Sequence, residues 1–152
     1  YIVPAFSGLG APWWRDDIYA SISGMSRTTG REEIVKAGCE CIAYQINDVI
    51  DAMRKDSEID ISQMCVDGGP TRNKYLMQFQ SDISQTEIKI PDAEELSVIG
   101  AGYLAGESAG YYEPDDIYKA ITYNFFETEM PEQERNEKVQ GWNEAVEMLL
   151  KK

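Results

Sequence analysis

Three observations predict an α/β fold in which a mixed or parallel sheet carries helices on its faces. Ile61 to Val66 is a short apolar run that ends at Asp67-Gly68-Gly69, after which Tyr75, Leu76, Phe79 and Ile83 recur at helical spacing. The same succession returns immediately: Glu87 to Ile90 reads as a strand, Pro91 to Glu94 as a polar turn, and Ser97 to Ala109 as a helix. Strands that alternate with helices pair in parallel through right-handed crossovers, because each helix must carry the chain back along the sheet. The third observation is material: 152 residues, 43% of them hydrophobic and 11% aromatic, suffice to bury one core.

Taken in order, residues 4–14 hold two prolines, two glycines and two tryptophans without either regular period, which predicts an ordered irregular loop anchored by its aromatics. Trp13 and Trp14 are its anchors, or contacts to a ligand or second domain. Ile18, Ala20, Ile22 and Met25 alternate weakly and suggest a strand. Thr29-Gly30-Arg31-Glu32 has the spacing of a capping box, in which hydroxyl and carboxylate satisfy the free amides at a helix start. A helix over 31–54 should follow, with Ile34, Gly38, Cys41, Ile42, Gln45, Val49 and Met53 turned to the core. Pro70 fits the first turn of the helix after the glycine pair. From Glu113 to Glu137 eight acidic residues face two basic ones, the pattern of a solvated surface connection. Pro131 then opens a last helix that presents Val139, Trp142, Val146 and Leu149 on one stripe.

Composition narrows the chemistry. Asp and Glu number 27 against 14 Lys and Arg, a formal charge of −13, so phosphate backbones and anionic membranes are repelled. With no histidine, His-based triads and the common zinc sites drop out. No apolar run approaches the roughly 20 residues of a membrane helix. The amino end lacks the basic start and apolar stretch of an export signal, and the chain is expected to be soluble and unexported. Cys39, Cys41 and Cys65 are an odd number and are expected to be reduced, buried thiols. The chain begins at Tyr1 rather than Met and is expected to be a piece of something longer.

The most informative constellation is Val66-Asp67-Gly68-Gly69-Pro70-Thr71-Arg72-Asn73. Adjacent glycines at a strand's carboxyl end let backbone approach a ligand with no Cβ between, and the following helix start offers amides to an anion. A nucleotide would sit there; so would nothing at all, since a tight turn has the same form. Asp67 is either a carboxylate at such a site or the cap of the turn. Gly102, Gly106 and Gly110 lie four apart on one predicted helix face, which implies close approach of another backbone.

In order and spacing, PAFSGLGAPWW, the GMSRTTG turn, ECIAYQINDVIDAM, VDGGPTRNKYLMQFQSDI, the VIGAGYLAG helix and the MPEQER ending resemble the later half of the FGGY carbohydrate kinase family, most of all its glycerol kinase branch. The resemblance covers nearly the whole chain. It implies an actin-like, ribonuclease H-like ATPase domain over residues 1–152, the carboxyl-terminal one of two that close over ATP and a polyol. Gly68 and Gly69 would then line the nucleotide, with Asn73 toward adenine, while Gly100 and Gly102 would support the hinge. It further implies transfer of the γ-phosphoryl of Mg-ATP to a hydroxyl of glycerol or another polyol or sugar in the cytoplasm. An amino-terminal kinase domain and further copies of the chain would be partners. The catalytic base and the Mg2+ ligands would lie upstream, so these residues alone should phosphorylate nothing. Arg15 to Ala20, Gly38, Cys39, Pro70 and Lys74 depart from the family pattern and bear on the acceptor more than on the fold. A piece that binds a partner or nucleotide without catalysis, through the acidic segment or the tryptophan loop, is the alternative.

Overall fold

The computed structural model describes residues 1–57, 59–93, 96–111, 113 and 121–151. Strands β1 (Ile2–Val3) and β2 (Ser21–Ile22) form an antiparallel pair. After α1 (Arg31–Ser57) come β3 (Gln63–Cys65), a 3-10 turn over Gly69–Arg72, α2 (Lys74–Ser84), β4 (Glu87–Pro91), α3 (Leu96–Ser108), β5 (Tyr123–Phe126) and α4 (Glu132–Leu150). The second sheet runs β3-β4-β5, with β3 and β4 parallel, as the strand–helix alternation predicts.

β5 is the element that the acidic stretch concealed. Residues 113–137 read as a surface connection, yet Tyr123–Phe126 pairs antiparallel with β4, Ile88 opposite Phe126 and Ile90 opposite Asn124. Carboxylates dominate the stretch as a whole, but within the strand itself three of four side chains are aromatic, which suits a pleated, half-buried surface. Part of the expected acidic connection, 114–120, lies outside the described residues. The predicted strand through Met25 is shorter than its alternation implied, because only Ser21 and Ile22 find a partner.

α1 starts where expected, but its cap is displaced by one residue. Gly30 is the capping position: its carbonyl accepts from the Ile34 amide, while Glu33 Oε2 accepts from the Gly30 amide at 2.7 Å. The Thr29 hydroxyl instead accepts from the Ser26 amide. The helix also turns a different face inward. Cys41, Ala43, Tyr44, Asn47 and Ile50 are buried, whereas Ile42, Val49 and Met53 of the predicted stripe face solvent. The reason is polar: the inward side carries Asn47, which donates through Nδ2 to Asp51, together with the hydrogen-bonded Asp48 and Arg54.

The core assembles on Tyr44. Its ring stacks on Trp142 with centroids 5.1 Å apart and meets Phe79 edge-on at 5.4 Å, the offset and T-shaped arrangements that ring quadrupoles favour. Val3, Ile83, Ile88 and Val146 complete it, and the predicted stripe of α4 is buried at Trp142, Val146 and Leu149. Beside the stack, Asp48 Oδ2 accepts from Trp13 Nε1 at 3.0 Å and from Trp142 Nε1 at 2.9 Å. Trp13 is thus the anchor of the amino-terminal loop, while Trp14 projects into solvent at φ +49°. Arg54 fastens the other end of α1, donating to the Ser84 and Ile61 carbonyls and to Thr86 Oγ1, all at 2.9 Å. Asp82 Oδ1 accepts the amides of Glu129 and Met130 and so fixes the link from β5 to α4. The three cysteines are free thiols as expected, but only Cys41 is buried; Cys65 is exposed.

Two outcomes follow from these contacts. Asp48→Ala leaves two indole donors without an acceptor and should destabilise the protein by about 2–4 kcal/mol, whereas Asp48→Asn keeps an acceptor and costs under ~1.5 kcal/mol. Burial pushes the Asp48 carboxyl above its ordinary 3.8, against the lowering effect of the two indoles. The folded state therefore holds that proton more tightly than the unfolded chain, and stability contributed by Asp48 is greatest at low pH and declines as pH rises through the elevated value. Thermal melts at stepped pH should show the Asp48→Asn protein gaining on the parent as pH rises; a constant difference would refute this. In the loop, Gly8 has φ +82° and an added Cβ would lie 2.2 Å from the Arg15 carbonyl oxygen. Gly8→Ala should cost about 2 kcal/mol or more and shift Trp13 fluorescence toward the solvent-exposed form, read by denaturant titration.

Candidate functional site

Because β3 and β4 run parallel, their carboxyl ends open on the same edge of the sheet, the place where open α/β sheets hold ligands. The Val66 amide still donates to the Lys89 carbonyl at 3.0 Å, and beyond it the chain leaves the ladder. Gly68 turns it with φ +100° and ψ 174°, a conformation available to glycine and strained for other residues. The Thr71 amide and hydroxyl both donate to the Gly68 carbonyl, at 3.0 and 2.7 Å, and the Asn73 amide donates to the Pro70 carbonyl. Pro70 thus lies in a 3-10 turn rather than in the first turn of α2. α2 begins one turn later, at Lys74.

This turn and the end of β4 enclose a cavity of about 260 Å3, lined by Asp67, Gly68, Gly69, Thr71 and Arg72 on one side and by Pro91, Asp92 and Ala93 on the other. Its size is below the roughly 300–1,000 Å3 of a complete small-molecule pocket, so it is one wall of a cleft. A Cβ on Gly69 would meet nothing within 4 Å, and one on Gly68 would touch only Pro70 Cδ, at 3.9 Å. The glycine pair therefore presents flat backbone to the cavity. Two carboxylates and one guanidinium share the rim. Carboxylates repel phosphate but accept from hydroxyl and amino groups, so the wall suits the uncharged end of a ligand better than an anion. The helix amides that the sequence pattern offered to an anion are set back behind the 3-10 turn.

Gly68 and Gly69 come together on this wall, and Asn73 stands beside it in another role. Asn73 Oδ1 accepts from the Leu76 amide at 3.2 Å and caps α2, while its Nδ2 lies 3.9 Å from Cys39 Sγ. Gly100 and Gly102 lie in α3, where no residue is buried and a Cβ at either would meet nothing within 4 Å. Of the glycines spaced four apart, a Cβ at Gly102 or Gly110 would meet nothing within 4 Å beyond its own turn of helix. Gly110 does not extend that stripe: at φ +73° it ends α3, with the Gly110 amide donating to Glu107 and the Tyr111 amide to Gly106, a Schellman arrangement. The rim residues Pro91, Asp92 and Ala93 went unnoticed in the sequence, where they read as a polar turn. Parallel neighbours share an edge, and that signal would have paired Asp92 with Asp67. Asp92 is held in place by its amide, which donates to the Thr122 carbonyl at 2.8 Å.

Residues 1–109 match the sequence profile of the FGGY family of carbohydrate kinases, C-terminal domain. Glycerol kinase of Natranaerobius thermophilus is 47% identical over 99% of this chain and 30% of its own length, and that of Bacillus subtilis 42% identical over 99% and 31%. The crystal structure of Plasmodium falciparum glycerol kinase with ADP superposes with a TM-score of 0.88 at 40% identity, covering 98% of this chain and 30% of that one. A ligand-bound xylulose kinase from Lactobacillus acidophilus, 18% identical with a TM-score of 0.73, shares the fold. The chain thus spans about 30% of the length of the curated relatives it matches, and its α/β arrangement is the actin-like ATPase fold of these sugar kinases. With profile, sequence and fold in agreement, the chain belongs to the FGGY family of carbohydrate kinases.

Proposed function

We propose that these residues form the nucleotide-side wall of an ATP-dependent kinase that transfers the γ-phosphoryl group to a hydroxyl of glycerol or a related polyol. The observation that carries the reading is the bare Gly68-Gly69 backbone over the cavity at the ends of two parallel strands. The similarity to a glycerol kinase solved with ADP supports it. In this reading the adenosine end lies on the glycine pair, where the rim carboxylates can accept its hydroxyl and amino hydrogens, and the phosphates point away from Asp67 and Asp92. Asn73 stands at the adenine side, and Gly100 and Gly102 serve the hinge toward an amino-terminal kinase domain. Among the described residues no group of three His, Cys, Asp or Glu is arranged to hold a metal. Following the family resemblance, we assign Mg2+ to the phosphates and to ligands outside these residues, together with the catalytic base. The chain's own contribution is to bind and orient, which is most of what phosphoryl transfer asks of a protein. No helix among the described residues is long and apolar enough to cross a membrane, and a cytoplasmic location goes with the reading.

The test is ADP release by the full-length protein with Mg-ATP and glycerol, erythritol, xylulose or no acceptor. Release driven by glycerol is expected, and turnover with none of the acceptors refutes the reading. Gly69→Trp fills the cavity without a backbone clash and should raise the KM for ATP at least ~100-fold while leaving the thermal melt within a few degrees. Unchanged ATP affinity in that variant removes the nucleotide from this wall. Asn73→Ser keeps a helix cap and should lose under ~0.5 kcal/mol of stability, against about 1 kcal/mol for Asn73→Ala. A several-fold higher KM for ATP in the serine variant, with GTP unaffected, would separate adenine contact from capping; equal behaviour with both nucleotides would leave Asn73 as a cap alone.

A further inference from the structure

Asp92 stands across the cavity from the bare glycine turn. Gln63 pairs with Glu87 and Cys65 with Lys89, each 24 residues further on, and the same offset carries Gly68 to Asp92. Parallel neighbours lie about 4.8 Å apart, so an acidic residue at the end of β4 comes level with backbone that has no Cβ to screen it. Dinucleotide folds use the same succession: a parallel strand, a glycine turn, a helix, and a second strand after which an acidic residue, about 20 residues beyond the glycines, accepts from a ribose hydroxyl.

The two rim carboxylates are not equivalent. Asp67 Oδ1 accepts from the Gly68 amide at 2.5 Å and is committed to the turn itself. Asp92 is held by its main chain instead, its amide donating to the Thr122 carbonyl at 2.8 Å. The Thr122 hydroxyl lies 3.4 Å from Asp92 Oδ2, a long bond that orients the carboxylate without saturating it, since an ionised carboxylate has about four lone-pair positions. We propose that Asp92 reads the sugar of the nucleotide, its carboxylate accepting from the 2′- and 3′-hydroxyls of a ribose seated on Gly68-Gly69, and so makes the kinase selective for ribonucleotides whatever their base. The inference rests on the nucleotide reading of this cavity and adds to it the group that reads the sugar. Vicinal hydroxyls offer two donors to the two oxygens of one carboxylate, and a charged acceptor makes such bonds stronger than a neutral one would. An analogue without the hydroxyls leaves the carboxylate unpaired in a closing cleft, which discriminates more sharply than a lost apolar contact. A phosphate on the 2′-oxygen would meet the negative charges of Asp92 and Asp67 together and is rejected as well.

The experiment is steady-state kinetics of the full-length protein, with the acceptor that supports turnover and with ATP, 2′-deoxy-ATP, 3′-deoxy-ATP or 2′,3′-dideoxy-ATP as donor. In the parent, KM should rise ~10–100-fold from ATP to the dideoxy compound with kcat little changed, and GTP should show the same ratio to its dideoxy form. Asp92→Ala should raise the KM for ATP to near the dideoxy value while altering the dideoxy value itself under ~3-fold, so that the two losses do not add. Asp92→Asn, which keeps one acceptor, should fall between, and Asp92→Glu should recover part of the selectivity. None of these variants removes the bond from the residue 92 amide to Thr122, and their thermal melts should stay within a few degrees of the parent. A parent indifferent to the missing hydroxyls overturns the proposal without any variant. So does selectivity that persists in both Asp92→Ala and Asp92→Asn, or an equal loss with ATP and the dideoxy compound, which marks a structural role. Failure of the nucleotide reading shows separately, as an unchanged KM for ATP in Gly69→Trp.

Discussion

A single carboxylate oxygen holds three parts of this molecule together. Asp48 Oδ2 takes the indole N–H of Trp13 from the amino-terminal loop and that of Trp142 from the last helix, and itself stands on α1. Each indole needs an acceptor once its ring is buried, and the ring positions are set by Tyr44, which stacks on Trp142. The order of dependence therefore runs from a buried polar group outward: α4 seats on Tyr44 because its indole has a partner, and β1 and the loop close over α1 because Trp13 shares that partner. The cost is a carboxylate taken from water, which two donated hydrogen bonds offset in part.

From that anchor the geometry passes to the cavity through α2. Arg54, at the far end of α1, ties the Ser84 carbonyl and Thr86 to the approach of β3, so the end of α2 and the starts of both parallel strands share one guanidinium. The planar fork of arginine makes several directed bonds at once, which lysine in that place could not match. With those starts held and the strands in register from Gln63 and Glu87, the two carboxyl ends arrive level, and the walls of the cavity face each other. The cavity is shaped by backbone placement more than by any reactive side chain.

What could be read in advance, and what could not, divides along the same physical line. The glycine pair after an apolar run pointed to the wall that the structure forms, because a strand that ends on two residues without Cβ atoms is built to turn through positive φ and to leave its backbone bare. The extent of α1 was legible from its polar start and its long period. Its inward face was not, since Asn47, Asp48 and Asp51 look like solvent-facing residues until their hydrogen-bond partners, some far along the chain, are seen. β5 was hidden by averaging: four residues within a long acidic stretch carry little weight against eight carboxylates. Asp92 escaped because a site made by two strands cannot be inferred from either strand singly. Asn73 has a local duty as a helix cap that the sequence hid, because Pro70 looked like the first turn of the helix and so put Asn73 inside it.

The separation between Asp48 and Trp142 bears on how the chain acquires its shape during synthesis. Trp142 follows Asp48 by 94 residues. At ~5–20 residues per second a ribosome takes roughly 5–20 s to cover that distance. Over that interval the Trp142 face of Tyr44 and one side of the Asp48 carboxylate have no companion, while Trp13, already translated, and then Phe79 can dock. The nascent chain therefore passes through a stage with its aromatic centre open on one side. The last helix then acts as a latch, and chaperone demand for this protein should concentrate in the seconds before it emerges.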